Sequence, residues 1–139
     1  MFKSLSLVFV FVLGLGLVGC KPSGPTDEEI IGQLGEKFMI ALYRGDKETA
    51  KQICNPTGYE TFEQLSSAIA LGSLGLNTQL DEAVIAGKLD LVGVKKLSET
   101  KGIAKIMDTM GEKPQTHSIP VEKDSDGNWK VAVTKQSFN

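Results

Sequence analysis

Asp124-Ser125-Asp126-Gly127-Asn128-Trp129-Lys130-Val131-Ala132-Val133-Thr134 is the stretch on which the fold turns. Its first five residues are all turn formers, and Gly127 can take the positive φ that a tight turn needs. Trp129, Val131 and Val133 then alternate with Lys130, Ala132 and Thr134. A period of two with one apolar face is the pattern of a half-buried strand. The run predicts a hairpin turn over 124–128 and a strand over 129–136. Asp124 to Asn128 also looks like part of a calcium loop. However, the twelfth position counted from Asp124 is Lys135 instead of a bidentate Glu, so a turn explains the run.

Working back from that hairpin, the same period recurs. Thr116 to Lys123 reads as a strand with His117, Ile119 and Val121 on one face. Gly111-Glu112-Lys113-Pro114 is a turn, Gly102 to Met110 is another strand, and Leu89 to Val94 a third. Asp108 falls near the end of its strand, where a solvated acid is the ordinary expectation. Before Gly87 the period changes to helical. Thr26-Asp27-Glu28-Glu29 has the form of a capping box, with acids suited to the helix dipole. Ile30, Ile31, Leu34, Phe38, Ala41 and Leu42 follow at steps that make one stripe, and Gly45 is a C-terminal stop. This predicts a helix over 26–44. Asp46 caps a short second helix through Ala50 and Ile53. Asn55-Pro56-Thr57-Gly58 reads as a turn, and a third helix begins near Thr61, with a break near Leu74 to Asn77 and a last helical segment ending at Gly87.

Helices first and hairpin-linked strands afterwards define an α+β class. N-terminal helices pack on one face of a curved, four-stranded antiparallel sheet. The chain has 139 residues and a formal net charge of −2 with acids and bases interleaved. That supports one domain, 26–139, and gives no basic block for nucleic acid. One His and two Cys are too few for a metal centre built on nitrogen and sulfur, and no cofactor motif is present.

The N-terminus carries a different message. Lys3 is followed by an apolar run from Leu5 to Val18, broken by Ser6 and two glycines, Gly14 and Gly16. The run is shorter than the ~20 residues of a spanning helix and matches a secretion signal. Leu17-Val18-Gly19-Cys20 then resembles the bacterial lipobox. The resemblance implies a signal peptide over 1–19, cleavage between Gly19 and Cys20, and acyl chains on Cys20. Each buried methylene contributes about 0.8 kcal/mol, so the two or three chains implied would hold the domain firmly to a membrane. Lys21, in place of Asp, favours the outer membrane, facing the periplasm. Residues 20–25 are the lipidated Cys and a tether; at ~3.1 Å per residue its five residues after Cys20 reach about 15 Å.

Three pieces carry a further resemblance. They are Phe38-Met39-Ile40-Ala41-Leu42-Tyr43-Arg44-Gly45-Asp46 with Ala50 and Cys54 after it, Leu91-Val92-Gly93-Val94-Lys95-Lys96, and Asp126-Gly127-Asn128-Trp129-Lys130-Val131. From about Asp27 to Val133 the chain resembles small bacterial lipoproteins of unknown function with a nuclear transport factor 2-like domain. That likeness implies a cone with a pocket between helix and sheet, and no activity. Phe38, Tyr43, His117 and Trp129 are the candidate lining residues of such a pocket, although Trp129 reads first as core, closing the sheet against helix 26–44.

Three functions follow as expectations. The first is a non-catalytic binding module for a small apolar ligand or an envelope protein, with no catalytic residue. The second is a structural or interaction protein of the envelope, acting through the open face of its sheet or by homodimerising; the small-residue stretch Ser66 to Gly75 fits a dimer face or a pocket wall. The third is an isomerase- or dehydratase-type enzyme, which requires His117, Asp108 or Tyr43 to converge in the cavity. Cys54 loses its only intrachain partner if Cys20 is a thioether, and reads as a buried small apolar residue.

Overall fold

In the computed structural model, residues 24–73 and 81–138 are described. Helix α1 spans Asp27–Arg44. Thr26 is its N-cap, with Oγ1 accepting from the Glu29 amide at 3.2 Å. Gly45 closes it at φ 66°, donating to the carbonyls of Ala41 and Leu42. Helix α2 (Lys47–Ile53) starts from Asp46, whose Oδ1 accepts from the Thr49 amide at 3.2 Å. Both ends of α1 therefore lie where the caps and the glycine put them.

Helix α3 spans Pro56–Ser73 and corrects the expected turn. Asn55 is an N-cap, with Oδ1 accepting from the Gly58 amide at 2.7 Å and its carbonyl accepting from Tyr59 at 2.8 Å. Pro56 takes the first helical position, where its missing N–H costs nothing. Thr61 is consequently a buried interior residue donating to the Thr57 carbonyl at 3.0 Å, not a cap. The expected break near Leu74 to Asn77 lies outside the described residues. Helix α4 (Glu82–Ala86) ends at Gly87 as expected.

Four antiparallel strands follow in the order β1-β2-β3-β4. They are β1 (Leu89–Lys96), β2 (Lys101–Asp108), β3 (Gln115–Lys123) and β4 (Trp129–Val131). The β1–β2 register shifts between Leu91 and Gly93, leaving Val92 as an extra, exposed residue. The fourth strand is shorter than the alternation predicts. Ala132 donates to the Pro120 carbonyl at 2.8 Å, but Pro120 has no N–H to return, so the ladder stops. A 3₁₀ turn over Lys135–Phe138 replaces its second half, although Val133 remains buried. The turn at 124–128 is held by Asp124 Oδ1, which accepts from the amides of Asp126 at 3.0 Å and Asn128 at 2.9 Å.

The core lies between α1 and the inward faces of β2 and β3. Ile31, Phe38, Met39 and Leu42 meet Ala104, Ile106, Ile119 and Val121, all buried. Close approach depends on Gly35, where a Cβ would stand 2.6 Å from the Ala104 Cβ. Cys54 is buried at the C-cap of α2 and forms a parallel bridge to Val131, so it pins the helices to the last strand.

Candidate functional site

Asp108 is the last residue of β2 and shares the inward face of Ala104 and Ile106. An acid there, only 4% exposed, is not the solvated carboxylate expected from its place beside a turn. Burial of a charge demands partners, and three donors supply them. Tyr43, in the last turn of α1, donates its phenol to Oδ2. The Met110 amide donates to Oδ1 at 2.8 Å. His117 places Nε2 at 3.3 Å from Oδ2. The register explains the last contact: His117 pairs with Ile106, so it stands diagonally from Asp108 on the same face.

This arrangement sets proton positions. A carboxylate offers only lone pairs, so Nε2 of His117 is the protonated nitrogen. Nδ1 has no partner among the described residues and is the ring atom left for a ligand. Burial raises the Tyr43 phenol above its ordinary value of 10.0, and the hydrogen bond to Asp108 and its negative charge add to the rise. Tyr43 is therefore a donor locked onto Asp108 and not a base.

Two open clefts flank the cluster and share Gln115. One, of about 390 Å³, is lined by Tyr43, Asp108, Glu112 and Lys113. The other, of about 340 Å³, is lined by Thr116, His117, Ser137 and Phe138. The Phe138 ring lies 5.3 Å from the imidazole.

The four residues expected around one pocket do not share one. Tyr43 and His117 come together through Asp108. Phe38 is wholly buried, edge-on to Phe62 at 6.1 Å. Trp129 is 7% exposed, and its Nε1 donates to Asp27 Oδ1 at 3.0 Å. Trp129 pairs with Lys123, at the opposite end of β3 from His117, which rules out a common lining. Phe138 and the Met110 amide were missed in the sequence: the first sits in the 3₁₀ turn that replaced a strand, and a backbone donor leaves no residue signature. Cys20 and Gly19 lie outside the described residues. Among the described residues no group of three acidic, His or Cys side chains could hold a metal ion. Nor is any described helix long and apolar enough to cross a membrane.

The fold and cluster together define an α+β domain with a buried acid holding a histidine at a cleft. Among solved structures the chain is similar to an NTF-2 like protein of unknown function from Shewanella oneidensis MR-1. Identity is 19%, covering 78% of this chain and 95% of that one, with a TM-score of 0.44. No family model matches the sequence, and no curated protein matches it.

Proposed function

We propose that this chain is an envelope lipoprotein of the nuclear transport factor 2-like kind, held to the outer membrane by lipid on Cys20. Its domain binds a small polar ligand or a partner group in the cleft at His117. The leader and lipobox support the anchor, and the order of helices before sheet supports the kinship. One observation carries the site: Asp108 is buried and spends its oxygens on Tyr43, Met110 and His117, which fixes the imidazole with Nδ1 left over. Such preorganisation suits recognition, because the ordering cost is met on folding and not on binding. The polar lining favours a polar ligand over the apolar one that the sequence suggested.

The convergence of Tyr43, Asp108 and His117 also supports a second reading, proton transfer at Nδ1 with Asp108 orienting the ring. Binding is the primary proposal because the buried Asp108 cluster is observed directly, whereas proton transfer further requires a reacting group seated at Nδ1. Mass spectrometry of the chain isolated from envelopes tests the anchor. A mature N-terminus at Cys20 with diacylglycerol attached is expected, and an unprocessed Met1 chain sinks the anchor. For the site, envelope-derived small molecules should bind the parent chain and lose affinity in His117→Ala with the fold intact; equal binding by both would sink it.

A further inference from the structure

The domain has two distinct ends. At one, Thr26 begins α1 and Asp27 is gripped by Trp129 Nε1 at 3.0 Å and by Lys96 Nζ at 2.9 Å. The β1–β2 and β3–β4 turns, with exposed Leu97, lie at this same end. Cys20 is six residues upstream of Thr26. At the other end are Tyr43, Asp108, His117 and Phe138. Helix α1 has 18 residues. At ~1.5 Å per residue its two ends stand roughly 25 Å apart.

The chemistry at the far end is specific in kind. His117 Nδ1 is the ring nitrogen turned away from Asp108, and in the neutral imidazole it accepts a hydrogen bond that a ligand hydroxyl can donate. The Phe138 ring beside it offers an apolar face to C–H groups. Gln115, Thr116 and Ser137 around it are uncharged hydroxyls and amides. In the neighbouring cleft the Asp108 carboxylate is already met by Tyr43, the Met110 amide and His117, and Glu112 and Lys113 carry opposite charges that offset each other. Hydroxyl donors on a ring with an apolar C–H face are the features of a saccharide.

We propose that the cleft faces away from the bilayer and takes a neutral saccharide from the aqueous phase, not a membrane lipid. This rests on the lipid anchor at Cys20 and on His117 as the binding site. His117 is the only histidine in the chain, so its imidazole gives a single reporter. The lipidated full chain in phospholipid nanodiscs is titrated with an N-acetylglucosamine trimer, maltotriose, lysophosphatidylcholine and inorganic phosphate, following the imidazole C–H resonances. Saturable shifts with an oligosaccharide are expected. Phe138→Leu, which keeps an apolar group against Phe38, should weaken that binding about tenfold. Spin-labelled lipid should broaden Leu97 and Ser98 and leave His117 sharp. Shifts with lysophosphatidylcholine or phosphate and none with saccharide overturn the ligand class but leave His117 as a site. Broadening of His117 by the labelled lipid overturns the orientation. Silence with every probe overturns the site reading and this proposal with it.

Discussion

Asp108 and His117 stand diagonally across β2 and β3, and Nε2 of the imidazole lies 3.3 Å from the buried carboxylate. Tyr43 reaches the same oxygen from α1, 65 residues away in sequence. The cluster ties the last turn of the helix to the end of the sheet. It follows that helix and sheet stability should be coupled through these side chains.

A double-mutant cycle on Tyr43→Phe and Asp108→Ala measures that coupling. Asp108→Ala strands a phenol and an imidazole N–H and should cost roughly 2–4 kcal/mol, Tyr43→Phe about 1–2 kcal/mol. The pair should be non-additive by about 1 kcal/mol or more. Urea unfolding of the four chains checks this; additive losses would mean that the contact contributes nothing.

High pH should act through the same phenol. Folding raises the Tyr43 pKa above its ordinary 10.0, first through burial and then through Asp108. A raised folded value contributes stability that is full below 10.0 and is lost as pH climbs from there toward the folded value. The parent chain should therefore lose more stability than Tyr43→Phe between neutral pH and pH above 10. Parallel losses in the two chains would contradict the assignment.

At the N-terminal end of α1 the pH dependence runs the other way. Hydrogen bonds from Lys96 and then Trp129 hold Asp27 below its ordinary 3.8. Its contribution is present above 3.8 and disappears as pH falls through the lower folded value. The stability difference between the parent chain and Asp27→Asn should be constant near neutrality and shrink below pH 3.8. Acid titration of both chains by circular dichroism measures it.

Two glycines on α1 should respond oppositely to alanine. At Gly35 the new Cβ meets the Ala104 Cβ at 2.6 Å, and neither atom can turn aside. Overpacking of about 1–3 kcal/mol outweighs the better helix propensity. At Gly32 the nearest atom is the end of the Leu91 side chain at 2.7 Å, and Leu91 is 40% exposed and can swing away. Gly32→Ala should be neutral or stabilising by up to ~1 kcal/mol. Thermal unfolding of both variants decides whether the approach of helix to sheet is as asymmetric as this.

Burial pushes the Cys54 thiol up to about 12, against a weaker opposing pull from Lys130. The thiolate is the reactive form, so Cys54 should resist iodoacetamide at pH 8 in the native chain and react only through unfolding. Modification at the rate of a model thiol would mean that the α2–β4 junction opens freely.

The helix ends were legible because their signals are local. Thr26, Asp46 and Gly45 satisfy backbone groups within four residues of themselves, so neighbouring sequence suffices. The same locality misled at Asn55-Pro56, a dipeptide that serves a turn and a helix start equally well. Alternation identified Trp129, Val131 and Val133 as an inward face. It could not show that Pro120, on the partner strand, would withhold the hydrogen bond needed to extend the ladder.

The candidate site was legible only as a list of residue types. His117, Asp108 and Tyr43 could be named from sequence, but not the role of each. Sequence by itself determined the class, helices over an antiparallel sheet, and the expectation of a lipid on Cys20, because periodicity, caps and cleavage signals are read along the chain. Tertiary structure alone decided that Asp108 is buried and not solvated, that it joins Tyr43 to His117, and that Trp129 lies at the other end of the sheet. Those outcomes depend on strand register and on the end at which the helix meets the sheet. Both are set by packing between residues far apart in sequence.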